Sequence, residues 1–217
     1  MSTAAYRKAE ADSFDPVIEA AVADTRDALL RRQAPDGHWV FELEADVTIP
    51  AEYIMLEHYL GEIDPALEQK IARYLRQRQG RHGGWPLFHD GDINVSASVK
   101  AYYALKLAGD DPAAPHMRRA RRAILAGGGA AACNVFTRVA LALFGQLPWS
   151  TVPSMPIEIM LLPRWFPFHL DKVSYWSRTV IVPLLILMLL KPRARNPQAI
   201  GIDELFLAPP FTAPPPL

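Results

Sequence analysis

The sequence predicts an all-α protein built as an α/α array of alternating outer and inner helices, and three observations predict it. Gln33-Ala34-Pro35-Asp36-Gly37-His38-Trp39 and Gln79-Gly80-Arg81-His82-Gly83-Gly84-Trp85 share the frame Gln-x-x-x-Gly-x-Trp, 46 residues apart. Each frame follows a helical pattern, at residues 25–33 and 70–79, and each leads into an apolar helix closed by glycine. Self-similarity at such a period marks a repeated supersecondary unit that buries its apolar face only by stacking on its neighbours.

Within the frame each residue type has a task. Gly37 and Gly83 turn the chain where a Cβ would clash. The Gln33 and Gln79 amides reach exposed backbone groups near a helix end. Trp39 and Trp85 fold back as apolar plugs whose indole N–H still requires an acceptor, so both are expected to be buried at equivalent places.

The elements after the frames repeat as well. Trp39 leads through a polar connection to a helix over 50–60 closed by Gly61. Trp85 leads through His89-Asp90-Gly91-Asp92 to a helix over 95–108 closed by Gly109. A degenerate third copy follows: a helix over 118–126, a break at Gly127-Gly128-Gly129, and a helix over 135–144 ending at Gly145. Glycine just past a helix supplies the left-handed residue of the C-terminal turn at little steric cost.

Proline then divides the chain. Pro148, Pro153, Pro156, Pro163 and Pro167 cut the next segment into short pieces that still carry Met155, Ile159, Leu161, Trp165, Phe166 and Phe168. So large an apolar load has to pack against something. The apolar run 179–190 carries Pro183, is too short to span a bilayer, and is expected to form a buried helix. From Ala208 the prolines forbid a helix, and residues 201–217 are assigned to a Pro-rich tail. The expected organisation is an N-terminal segment 1–15, an array over 16–200 and the tail.

Composition sets further bounds. Half the residues are apolar, and 23 basic side chains balance 23 acidic ones. The chain can bury a sizeable core and carries no overall nucleic-acid footprint. Cys133 is the single cysteine and the polar start lacks a secretory apolar region, so a cytoplasmic location is expected. Six histidines show no paired ligand spacing, and no metal or cofactor is expected. Arg118, Arg119, Arg121 and Arg122 form a basic cluster, read either as a solvated face or as a contact for anionic lipid.

The two Gln-x-x-x-Gly-x-Trp frames, Ala51-Glu52-Tyr53, Val135-Phe136-Thr137-Arg138, Pro156-Ile157-Glu158-Ile159-Met160 and Ser174-Tyr175-Trp176-Ser177-Arg178 resemble, in this order, the N-terminal part of bacterial squalene–hopene cyclase. The resemblance implies a partial α/α toroid, in which the Gln/Trp frames tie outer helices together. It implies as substrate squalene or a similar apolar polyene, a membrane surface as partner with peripheral attachment to the inner membrane, and hopanoid biosynthesis as the context.

In that family an aspartic acid of an Asp-x-Asp-Asp motif protonates a terminal alkene. Here Asp90-Gly91-Asp92, Asp110-Asp111-Pro112 and Asp203-Glu204 do not match it, so no catalytic residue is assigned. An alkene is a very weak base; its acid must sit in a dry, preorganised site. Without it the chain is expected to be inactive alone. A complementary C-terminal cyclase chain is then a natural partner, and the alternative is a non-catalytic module that binds an apolar ligand or a membrane.

Two substrate-cavity residues follow from the resemblance: Trp176, which the residues alone would make a core tryptophan, and Glu52, as a polar residue behind the cavity wall. Arg138 is expected as a structural charge partner. Lys100 stands in the second repeat where Glu52 stands in the first, and is read either as its ion-pair partner or as a solvated end.

Overall fold

Capping chemistry fixes where the helices begin. The computed structural model describes residues 15–40 and 46–208. The helices are α1 (Pro16–Arg32), α2 (Thr48–Leu60), α3 (Pro65–Gln77), α4 (Val95–Leu107), α5 (Pro115–Ala126), α6 (Val135–Leu143) and α7 (Tyr175–Leu190). No strand occurs among the described residues. Asp15 accepts from the Val17 N–H, Asp64 from those of Ala66 and Leu67, Asn94 from Ala97 and Asn134 from Thr137. Each carboxylate or amide oxygen thereby satisfies a donor that the helix itself leaves free.

Three of the helices start earlier than periodicity predicts. Apolar spacing begins them at residues 25, 70 and 118, whereas α1, α3 and α5 each open on a proline at the first helical position. Proline costs nothing there, because its missing N–H would have no helical partner anyway. Gly61, Gly109 and Gly145 adopt positive φ after α2, α4 and α6, as expected.

The chain divides into two compact units, residues 1–44 and 45–217, each described by itself. In the first, α1 runs into the Gln33 frame. In the second, α4 is the centre: Ser96 to Leu107 are buried with the exception of Lys106, and the helix packs against α2, α3 and α5. A helix apolar all round belongs inside a protein. The outer helices α3 and α5 bury only one stripe each, Ala72 and Leu75 on α3 and Met117, Ala120 and Ile124 on α5. This is the predicted alternation of inner and outer helices.

The two frames make the same local structure. Gln33 Nε2 donates to the Gly37 carbonyl at 2.6 Å and Gln79 Nε2 to the Gly83 carbonyl at 2.7 Å. Both glycines have φ +91. In the second copy Gln79 also donates to the His116 carbonyl, and Arg119 donates to the Gln79 Oε1, which ties α3 to α5. A Cβ on Gly83 would meet the Arg119 carbonyl oxygen at 3.0 Å, so both dihedral and space exclude other residues there.

Burial separates the copies. Trp85 is 0% exposed, as predicted, but Trp39 is 44% exposed. The reason is the logic of the repeat itself: among the described residues α1 is the single helix of its unit, and no second described helix of that unit stacks on the indole.

Two further expectations change. Of the sixteen residues of α7 only Leu185 and Met188 are buried, so it is a surface helix with one seated edge and not a buried one. The segment from Gly201, read from its prolines as a tail, begins inside the core: Ile202 and Leu205 are fully buried, Glu204 accepts from Tyr102 and Lys106, and Lys106 also donates to the Gly201 carbonyl. Residues 209–217 lie outside the described residues. Between α6 and α7 the prolines leave three short 3-10 turns, Trp149–Thr151, Ile157–Leu161 and Leu170–Lys172.

Candidate functional site

Three consecutive inner helices each place one charged residue within their first two turns: Glu52 on α2, Lys100 on α4 and Arg138 on α6. The heights of Lys100 and Arg138 match because the starts of α4 and α6 are stitched together. The Asn134 N–H, at the cap of α6, donates to Ser96 Oγ on α4 at 2.9 Å. One turn further along each helix, four residues on, stand Arg138 and Lys100.

Lys100 donates to Glu52 Oε1 at 2.8 Å; its side chain is 5% exposed while that of Glu52 is 45% exposed. The ion-pair reading therefore holds. Among the described residues Arg138 has no charge partner of the kind expected: its Nη1 donates to the Thr151 carbonyl and its Nε is buried without an acceptor. It ties α6 to the first proline-rich turn. Cys133 lies beside this group, where burial pushes its thiol up to about 11 although Ser96, Lys100 and Arg138 pull the other way. A thiol so protonated is no nucleophile at neutral pH.

Trp176 belongs to a different surface. It sits in the first turn of α7, capped by Ser174 Oγ accepting from the Ser177 N–H, and is 73% exposed. The core reading of this residue is thereby excluded. Exposed Tyr175 precedes it, and the preceding segment contributes exposed Trp165 and Phe168, both in ring contact with Phe166. None of the hydrogen bonds and ion pairs of the described residues joins Trp176 to Glu52 or Lys100.

Two partly buried carboxylates, Asp110 and Glu204, carry shifted titrations. Burial alone would raise Asp110, but bonds from Arg76 and His116 hold its carboxyl below the ordinary range. Glu204 behaves likewise: burial raises it and Lys106, with Tyr102, brings it down. Both are kept ionised, the opposite of what a proton donor to an alkene needs. Asp90 and Asp92 lie in a polar loop with His89 and Asp90 almost fully exposed. No group of three or more histidine, cysteine or acidic residues among the described ones is placed to hold a metal.

Residues 22–216 match the family model described as the squalene–hopene cyclase N-terminal domain. The chain belongs to the squalene–hopene cyclase family. It is 60% identical to the squalene–hopene cyclase of Zymomonas mobilis over 207 residues, covering 95% of this chain and 31% of that protein. It is 58% identical to that of Bradyrhizobium diazoefficiens over 210 residues, 96% of this chain and 32% of that protein. It is 35% identical to the cyclase of Alicyclobacillus acidocaldarius over 197 residues, 91% of this chain and 31% of that protein. The chain spans about a third of the length of these relatives, and corresponds to the N-terminal domain of squalene–hopene cyclase-like proteins.

Three ion clusters of this cyclase domain were not singled out from sequence: Asp110 with Arg76 and His116, Glu204 with Lys106 and Tyr102, and His58 with Glu68. The Glu204–Lys106 pair is 98 residues apart, beyond any local pattern. The His58–Glu68 pair is ten residues apart across the short connection between α2 and α3, and its signal was present in the charges flanking Gly61.

Proposed function

We propose that residues 16–200 form the partial N-terminal toroid of a squalene–hopene cyclase-like triterpene cyclase and that the chain serves polycyclisation of squalene, or a similar apolar polyene, to hopanoids without starting the reaction. The observation that carries this reading is the exposed aromatic group Trp165, Phe168, Tyr175 and Trp176 on a domain whose partly buried carboxylates are held ionised. Aromatic faces stabilise passing carbocations by roughly 0.5–2 kcal/mol each and are poor nucleophiles, so they guide a cascade that another acid begins.

In this reading Trp176 faces the substrate cavity and Glu52, held by Lys100, gives its wall a fixed polar point. The acid comes from a complementary C-terminal cyclase chain carrying Asp-x-Asp-Asp. No described helix is long and apolar enough to cross a membrane. Attachment is accordingly peripheral, at the cytoplasmic face of the inner membrane where the polyene is dissolved.

The experiment incubates squalene in detergent with the 217-residue chain, with a C-terminal cyclase fragment containing Asp-x-Asp-Asp, and with both, and analyses the extract by gas chromatography and mass spectrometry. Pentacyclic product from the mixture and from neither part alone supports the reading. Product from this chain alone removes the claim that it lacks the acid. No product from the mixture, with squalene bound by this chain, moves the assignment to a non-catalytic apolar-ligand module.

A further inference from the structure

We propose that the outer face of α5 docks on an anionic lipid surface, with Arg118 and Arg122 as the phosphate-binding residues. The chain has no net charge, yet residues 112–157 contain five arginines and no aspartate, glutamate or lysine. Four of those arginines stand on α5, a helix without an acidic residue. With Pro115 and Leu125 they line an open groove of about 670 Å³.

The four have divided tasks. Arg119 donates to Gln79 Oε1 and Arg121 to the Glu204 carbonyl, so these two belong to the fold. The side chains of Arg118 and Arg122 are exposed and make no hydrogen bond or ion pair with another described residue. The two carboxylate residues bonded to side chains of α5 have their carboxylates paired: Glu204, whose carbonyl Arg121 holds, with Lys106 and Tyr102, and Asp110 with Arg76 and His116. A basic face left unneutralised is complementary to a surface of phosphates.

Its apolar rim selects lipid over other polyanions. Among the described residues the groove has no aromatic side chain on which a base would stack, but it has Leu125 and Pro115. Leu207, 69% exposed, follows three residues after the Glu204 that Arg121 holds. A lipid layer offers headgroup phosphates and acyl chains together, whereas a nucleic acid offers only the former.

This inference builds on the membrane part of the proposed function and sharpens it to a lipid charge and a face. The test sediments the chain with vesicles of phosphatidylcholine alone and of phosphatidylcholine with phosphatidylglycerol, beside the R118Q/R122Q variant. Circular dichroism checks that the variant keeps its helices. Tighter binding to the anionic vesicles, weakened about fivefold per arginine removed and suppressed by high salt, is the expected result. Equal binding to both vesicles with no effect of the substitutions overturns this inference alone and leaves membrane attachment standing. Loss of all vesicle binding overturns both. Competition by a DNA duplex at equal phosphate concentration that displaces the chain from vesicles overturns the choice of lipid.

Discussion

Lys100, almost fully buried on α4, holds the half-exposed carboxylate of Glu52 on α2 at 2.8 Å. The asymmetry of their burial makes the consequences of mutation asymmetric. Glu52→Ala leaves an ammonium without its partner inside the inner-helix layer, and is expected to cost about 1–3 kcal/mol, less than a fully buried pair because water reaches one side. Lys100→Met removes the buried charge and keeps the volume, so it is expected to be near neutral. Urea unfolding of both variants and of the double variant checks this; equal costs for the two singles would contradict it.

The repeated frame predicts a second asymmetry. Trp39 and Trp85 donate their indole N–H to the carbonyls of Leu29 and Leu75, each ten residues upstream and each at 2.8 Å. The bond is common to both, but burial is not. Trp85→Ala is therefore expected to cost about 3–5 kcal/mol as a core cavity, and Trp39→Ala about 1 kcal/mol or less. Thermal melts that show similar losses would mean that Trp39 is covered in solution.

Much of this was legible from residue types alone. The Gln-x-x-x-Gly-x-Trp frame encodes its own hydrogen bonds, because glutamine, glycine and tryptophan at those offsets each have one sterically available task, and both copies adopt it. Helix starts were less legible: an amphipathic stripe marks where a helix is covered, whereas Asp15-Pro16 and Asp64-Pro65 mark where it begins. Long-range ion clusters such as Lys106 with Glu204 leave no periodic trace. The exposure of α7 was not legible either, since an apolar run reads the same whether one side of it is seated or all sides are.

Asp110 gives the stability of the second unit a pH dependence with a defined sign. Arg76 and His116 hold its carboxyl below the ordinary value of 3.8, so the unfolded chain takes up the proton more readily than the folded one. The stabilisation is complete above that ordinary value and is lost as pH falls through the lower folded value. Glu204, lowered from 4.5, acts in the same direction. Asp110→Asn is expected to lower stability at pH 7 and to flatten the decline below about pH 4. Urea midpoints measured from pH 7 to pH 2.5 test it, and parallel curves for wild type and variant would show that Asp110 contributes nothing through its charge.

The last prediction concerns the surface formed by the proline-broken segment and α7. Trp165 is 77% exposed, Phe168 70% and Trp176 73%, with Leu189 and Leu190 exposed at the other end of the helix. Monomeric soluble proteins rarely leave an apolar patch above roughly 300–600 Å² without a use for it. The purified chain is therefore expected to bind a dye that reports exposed apolar surface, and to self-associate or sediment with neutral vesicles. Because these side chains are already in water, W165S/W176S is expected to lower dye binding while shifting stability by no more than about 0.5 kcal/mol. That pairing separates a recognition surface from a misfolded core: a variant that loses stability together with dye binding would show that the aromatics are packed in solution. A wild-type chain that stays monomeric and ignores both dye and lipid would show that the segment closes over itself.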